Sequence, residues 1–439
     1  MRENSVELRC ARRRSASRAA LECRGVASSP FEITARDPRT RARAGLLRTA
    51  HGVVRTPAFV PLATKAVVKG LEAREVEALG YDMVLGNTFH LFLEPGHDLI
   101  DGFGGLHGFM GWERPIITDS GGFQVFSMGH GTVADEVKGR APFGADRAGG
   151  VIEIAEDGVT FKNPRNGAAV FMGPETSMEV QAKLGADVAL VFDECTPFHV
   201  DRDYTARSTE RTHRWLDRCL AWHQEHGPEN QVVYGIVQGG VYEDLRVEAA
   251  QAVVARDTAG IAVGGSLGAE KAQMYEVVGW TTAQLPEGRP RHLLGIGEVD
   301  DLIRGVELGI DTFDCVTPTR LGRHGVVLVP DAEARFRVDL SAARFKASKE
   351  PIEDGCPCPA CSAGLSRGYL RYLAKNRELT GVRLLSLHNL VYVGRVMRDL
   401  RDAIGEGRLS EVAERLRRGG RPSPAAVSSA PSPPARPSG

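Results

Sequence analysis

Between two polar ends the chain repeats one pattern. A short apolar run closes on a polar or charged residue, then glycine, proline or serine, then a segment of helical periodicity. The runs are residues 56–60, 82–85, 115–118, 188–192, 232–237, 260–263, 292–296 and 309–313, eight in all. Segments 206–225, 271–285 and 300–308 between them carry apolar residues at helical spacing. Alternating strand and helix implies a parallel sheet. Eight such units in one chain predict an α/β fold, a (β/α)₈ TIM barrel. A doubly wound sheet competes, but no Gly-x-Gly-x-x-Gly follows the first strand.

The residues just past barrel strands point into a common site. Here they are Asn87, Asp119, Asp193, Gln238, the pair Gly264-Gly265, and Asp314. No histidine or lysine is expected among them, which disfavours a Ser-His-Asp triad or a Schiff-base aldolase. Carboxylates and amides together suit a heterocyclic base and displacement at a sugar carbon. One carboxylate attacks, a second moves a proton, and the amides read the base edge. Taken singly, each aspartate reads more simply as a turn or helix cap. Their convergence on one rim is what a fold does not require.

Cys356, Cys358, Cys361 and His388 form a different kind of cluster. Three thiolates at Cys-x-Cys-x-x-Cys spacing and one imidazole match a tetrahedral Zn²⁺ site. Pro357 and Pro359 stiffen the knuckle. With four protein ligands the site is closed, hence structural, and it predicts a zinc-bearing subdomain over about 330–395.

Composition narrows the setting. Hydrophobic residues make up 42% of 439, enough for a sizeable core. Cys10, Cys23, Cys195, Cys219 and Cys315 are scattered, as in a reducing compartment. No apolar run is long enough to cross a bilayer, so a cytoplasmic enzyme without membrane contact is expected. The net charge of −1 means that any nucleic acid must be held by a local basic patch. Residues 1–30 read as a disordered basic arm and 417–439 as a disordered Pro/Ser/Arg tail. The barrel domain is expected to run over 31–416, zinc subdomain included.

The motifs themselves are familiar. Asp-Ser-Gly-Gly-Phe-Gln-Val (119–125), Gly-Ile-Val-Gln-Gly-Gly (235–240), Phe-Asp-Cys-Val (313–316) with Pro-Thr-Arg (318–320), and the Cys₃His set stand in one order. Together they resemble the tRNA-guanine transglycosylases, also called queuine tRNA-ribosyltransferases, of bacterial type. The resemblance implies a pentosyltransferase of queuosine biosynthesis. It exchanges the wobble guanine of tRNAs with G-U-N anticodons, those for Asp, Asn, His and Tyr. The incoming base is a 7-deazaguanine, either 7-aminomethyl-7-deazaguanine or queuine.

Roles carry over residue by residue. Asp314 resembles the nucleophile that forms a ribosyl-aspartyl intermediate, and Asp119 the proton acceptor. Ser120, Gly121, Gly122, Phe123, Asp193, Gln238, Gly265 and Leu294 resemble the base pocket, with Phe123 stacking on the base and Leu294 opposite. Gly295, Ile296, Gly297, Glu298, Val299, Asp300 and Asp301, and Thr319, Arg320, Leu321, Gly322 and Arg323, resemble RNA contacts. A homodimer is implied too. A non-catalytic tRNA-binding partner subunit is the alternative within the family, but such paralogues tend to lose the residues retained here.

Three departures stand out. A polar, Gly-rich insertion occupies 129–150. Glu298 stands where many members carry lysine. Gly268 in Gly-Gly-Ser-Leu-Gly-Ala-Glu (264–270) replaces a valine common in members that use the small base. Gly268 and Cys195 are therefore expected to set pocket size, with Gly268 favouring a larger 7-substituent.

Overall fold

The computed structural model describes residues 30–129, 150–197 and 200–424. Most of the expected basic arm, nearly all of the 129–150 insertion and the end of the tail lie outside the described residues.

Eight parallel strands close into a barrel in sequence order. They are Ala58–Ala63, Val84–Gly86, Ile116–Thr118, Val188–Leu190, Val232–Val237, Gly260–Val263, Arg291–Leu293 and Thr312–Cys315. Closure comes from strand eight against strand one, with Phe313 paired to Phe59 and Asp314 to Val60. Each of the eight apolar runs supplies one strand. The physical reason is burial on both faces. Val188, Ala189, Leu190, Ile261, Ala262 and Val263 are all inaccessible to solvent, as strands between a packed interior and a ring of helices must be. Helices Arg202–His226, Lys271–Gln284 and Val299–Glu307 occupy three of the predicted helical segments.

The N-terminal end of the barrel is built for stability. A three-stranded antiparallel sheet, Phe31–Arg36, Arg43–Thr49 and Gly52–Thr56, precedes the first barrel strand. Its Arg43 makes a buried two-pronged contact with Asp311 at the foot of strand eight, 2.9 and 2.6 Å. Asp187, at the foot of strand four, accepts hydrogen bonds from the His51 and Ile116 N–H groups at 3.0 and 2.9 Å. The stacked rings of His51 and His107 both face its carboxylate.

Between strands three and four the chain inserts a small antiparallel sheet, Val151–Ile154, Val159–Lys162 and Ala169–Met172. After strand eight, the hairpin Val326–Leu328/Arg337–Asp339, the cysteine knuckle and helix Arg367–Lys375 surround a core of their own. Helix Leu379–Gly405 is buried along most of its length and packs against both this core and the barrel. Ordered packing passes the expected boundary at 416. Ser423 N–H donates to Asp399 at 3.0 Å, and Arg395 Nε donates to the Ser423 carbonyl at 3.0 Å. The Arg/Pro composition hid this, because the anchoring groups lie on the preceding long helix. Among the described residues, no helix is long and apolar enough to cross a membrane.

Candidate active site

The C-terminal ends of the strands gather the polar residues that the sequence placed there. Asp119 follows strand three. Its Oδ1 accepts the N–H groups of Thr88, at 2.9 Å, and Gly121, at 3.2 Å. Its Oδ2 takes a short hydrogen bond from the Asn87 amide. Asn87 is itself fixed, because its oxygen caps helix Thr88–Leu93 through the His90 N–H at 2.9 Å. Burial pushes the Asp119 carboxyl up to about 7. The backbone donors pull the other way, and the nearby Asp314 charge adds to the rise.

Asp193, after strand four, is buried at 4% exposure. Ser120 Oγ donates to its Oδ1 at 2.8 Å, and Gln238 Nε2 to its Oδ2 at 2.5 Å. Burial raises this carboxyl to about 6, against those two hydrogen bonds. The neighbouring Glu194 belongs elsewhere, held by Arg211 at 2.5 Å and Tyr204 Oη at 2.7 Å. Gln238 Oε1 and Ser266 Oγ are buried without a hydrogen-bond partner among the described residues. A buried acceptor left open costs about 1–3 kcal/mol, so the Gln238 oxygen invites a ligand donor.

Asp314 lies within strand eight, one residue deeper than expected. Its Oδ1 accepts the Gly295 N–H at 3.0 Å. His292 Nε2 sits 3.2 Å from the same oxygen, off the line of a hydrogen bond, while Nδ1 meets Thr312 Oγ1 at 2.9 Å. The expectation that no histidine stands at this rim is therefore corrected. His292 pairs in register with Thr312, so its ring shares a face with Asp314, two residues on. Inward alternation in strand seven was the signal that pointed to it.

The remaining pocket residues surround these groups. Phe123 begins helix Gly122–Gly129 with 39% of its surface exposed, as a stacking face requires. A Cβ at Gly122 would meet the Asp193 carbonyl at 2.5 Å, and one at Gly121 would meet Met172 at 2.8 Å. Gly265, at φ +78°, leaves space that a Cβ would take 2.1 Å from Gln238 Oε1. Leu294 is half-buried beside Gly264. Cys195 is a buried thiol pushed up by burial and by Asp193, and the Gly265 N–H faces its sulfur. Gly268 has a local reason to be small: its φ is +108°, and a Cβ would fall 2.4 Å from the Gln273 side-chain oxygen.

The two stretches expected to touch RNA divide by direction. Val299 and Asp301 are buried, Asp301 bonded to Lys271 at 2.9 Å and Tyr275 Oη at 2.8 Å. Thr319 and Gly322 are buried too, Gly322 against Ser386. These four support the loops from within. Gly295, Ile296, Gly297, Glu298, Asp300, Arg320, Leu321 and Arg323 remain at the surface side. Glu298 is neutralised by Arg337 at 2.7 Å and Lys271 at 3.3 Å, so its acidic charge is compensated locally. Among the described residues Arg320 and Arg323 have no carboxylate partner, and burial together with Arg320 lowers the Arg323 pKa.

The cysteine cluster converges on His388. Its Nδ1 lies 3.7, 3.3 and 3.7 Å from the sulfurs of Cys356, Cys358 and Cys361. A tetrahedral Zn²⁺ with ordinary bond lengths has S···N edges of about 3.5 Å, so the donor set fits that ion. His388 Nε2 lies 2.8 Å from the Leu328 carbonyl, which leaves Nδ1 free to ligate.

Comparison with known proteins agrees with the geometry. A family model described as queuine tRNA-ribosyltransferase matches residues 37–421. A queuine tRNA-ribosyltransferase of Roseiflexus sp. (strain RS-1) is 49% identical over 391 residues, covering 87% of this chain and 97% of the relative. The protein of that name from Symbiobacterium thermophilum is 44% identical over 382 residues, 87% of this chain and 89% of the relative. The Pelotomaculum thermopropionicum protein is 43% identical over 380 residues, 86% and 95% respectively.

Proposed function

The chain belongs to the queuine tRNA-ribosyltransferase family, pentosyl-transferring enzymes that act on tRNA, and from that premise we propose a double displacement at the wobble nucleotide of G-U-N anticodons. Asp314 attacks ribose C1′. The C1′–N9 bond breaks, its electron pair leaves with guanine, and an acylal-type ribosyl-aspartyl bond forms. The Gly295 N–H holds the attacking carboxylate in place. In the second half the N9 of a 7-deazaguanine attacks C1′, the bond to Asp314 breaks, and Asp119 takes the N9 proton. A carboxyl poised at about 7 is suited both to give a proton to the departing guanine and to take one from its replacement.

The observation that carries this reading is the pairing of one aspartate anchored by a backbone N–H with a second aspartate held near neutrality on the same rim. Asp193, Gln238 and the Gly265 N–H present acceptors and donors to the base edge, with Phe123 and Leu294 on its faces. Arg320 and Arg323 offer unpaired charge to anticodon phosphates. The four-ligand cluster holds Zn²⁺ as a structural ion, with no part in the chemistry. A non-catalytic partner role has no observation in its favour, since Asp119, Asp193, Gln238 and Asp314 are all placed to act.

Cytoplasmic action follows from a tRNA substrate. A second copy of the chain is the expected partner. Tyr369 and Tyr372 on helix Arg367–Lys375 and Leu379 at the start of the next helix stand exposed and supply apolar surface for it. Light scattering showing a monomer at micromolar concentration would count against the dimer. The deciding assay is exchange on tRNA with a G-U-N anticodon, with queuine and 7-aminomethyl-7-deazaguanine offered side by side. Release of guanine with incorporation of a 7-deazaguanine is expected, queuine at least comparable to the smaller base. No exchange with either base would overturn the reading, and strong preference for the smaller one would overturn the pocket-size argument.

A further inference from the structure

Arg246 is fully buried, yet among the described residues no carboxylate pairs with it. It lies in the first turn of helix Glu243–Val254, behind the loops that follow strands five and six. Its guanidinium donates only to backbone carbonyls: Gly240 at 2.7 Å, Val237 at 3.1 Å, Gly264 at 2.9 Å and Ser266 at 3.0 Å. Burial lowers its pKa to about 9, so it stays charged at neutral pH. A buried, unpaired charge costs several kcal/mol in general, and packing alone does not call for one here.

The four carbonyls identify its task. The Gly264 carbonyl belongs to the same peptide unit as the Gly265 N–H, and the Val237 carbonyl to the same unit as the Gln238 N–H. Holding a carbonyl from behind fixes the plane of its peptide and makes the N–H on the other side a stronger donor. The guanidinium also adds positive charge that nothing else in its surroundings neutralises. A base that leaves with the electron pair of its glycosidic bond becomes negative.

We propose that Arg246 is a positioning residue for base departure: it locks and polarises the Gly264–Gly265 peptide and offsets the negative charge that the departing base acquires. This rests on the exchange reaction proposed above. It assigns a rate-determining task to a side chain that cannot itself touch the substrate, since the Gly264-Gly265 backbone lies between.

The test compares wild type, Arg246→Lys and Arg246→Gln in single-turnover formation of the enzyme–tRNA adduct, and in the capture of two incoming bases by that adduct. One base is guanine. The other is the analogue with an extra ring nitrogen at position 8, whose N9–H is more acidic and whose anion needs less help. Microscopic reversibility makes capture report on departure. Arg246→Gln should slow adduct formation about 100-fold with tRNA affinity within about threefold of wild type. It should also depress guanine capture about tenfold more than capture of the acidic analogue. Arg246→Lys keeps charge but loses most carbonyl contacts, so it should fall between. Equal losses for the two bases, or loss only of tRNA affinity, would overturn the proposal and leave Arg246 a packing residue. If the glutamine variant does not fold, Arg246→Lys decides alone: an adduct rate within twofold of wild type overturns the proposal. Failure of wild type to form any adduct would instead refute the exchange reaction.

Discussion

Asp119→Asn separates stability from catalysis at the centre of the site. The wild-type carboxyl is raised from 3.8 to about 7, chiefly by burial. Between those values the folded protein holds a proton that the unfolded chain has released. The stability this group contributes is therefore fully present below about pH 4 and is lost as pH rises toward 7. A shift of about three units corresponds to about 4 kcal/mol, and the part falling between pH 5 and pH 8 is about 2–3 kcal/mol. Asparagine has no such slope. It keeps an oxygen for the Thr88 and Gly121 N–H groups but presents an NH₂ to the Asn87 amide, a fixed cost of about 1–2 kcal/mol at every pH. The variant should thus be close to wild type in stability at pH 5 and gain about 2–3 kcal/mol on it by pH 8. Denaturation midpoints of both proteins at the two pH values measure this, and groups common to both cancel. Exchange by the variant should be lost at either pH, while wild-type exchange should rise through pH 7 as Asp119 deprotonates. Stability curves that run parallel from pH 5 to 8 would refute the claim that Asp119 is held near neutrality by its surroundings.

Two further outcomes concern the scaffold. Cys361→Ser should lower bound zinc from one per chain and reduce thermal stability, and folded wild-type protein with no zinc by elemental analysis would contradict the metal assignment. At the other end of the barrel, burial alone would raise Asp187, but hydrogen bonds from His107, the Ile116 N–H and His51 bring it to about 2. Its contribution, present above about pH 4, should be lost as pH falls toward 2, so Asp187→Asn should cost about 2 kcal/mol at pH 7 and much less near pH 2. An equal loss at both pH values would show that the carboxylate is not what the two histidines hold.

Much of the architecture was legible because the forces that set it are local in sequence. Strands such as 188–190 and 260–263 are apolar throughout since both faces are buried, and each is bounded by a polar residue that the barrel delivers to one rim. The knuckle was legible because metal ligation fixes spacing. What stayed hidden depends on direction. His292 reads as one polar residue in a strand until the register with Thr312 turns it toward Asp314. Arg246 reads as a solvated helix residue until four carbonyls from two loops close around it. Glu298 reads as a lost positive charge, but Lys271 and Arg337, distant in sequence, restore the balance. Gly268 reads as open space, whereas its positive φ and the Gln273 side chain already demand glycine.

The central claim is that Asp314 carries the ribose between two bases, and trapping the intermediate tests it most directly. Wild-type protein incubated with a G-U-N tRNA and resolved under denaturing conditions should yield a tRNA-linked band that disappears when a 7-deazaguanine is added. Asp314→Asn should bind the same tRNA, fold with its zinc in place, and give no such band and no exchange. A linked band or near-normal exchange from the Asp314→Asn protein would contradict the account.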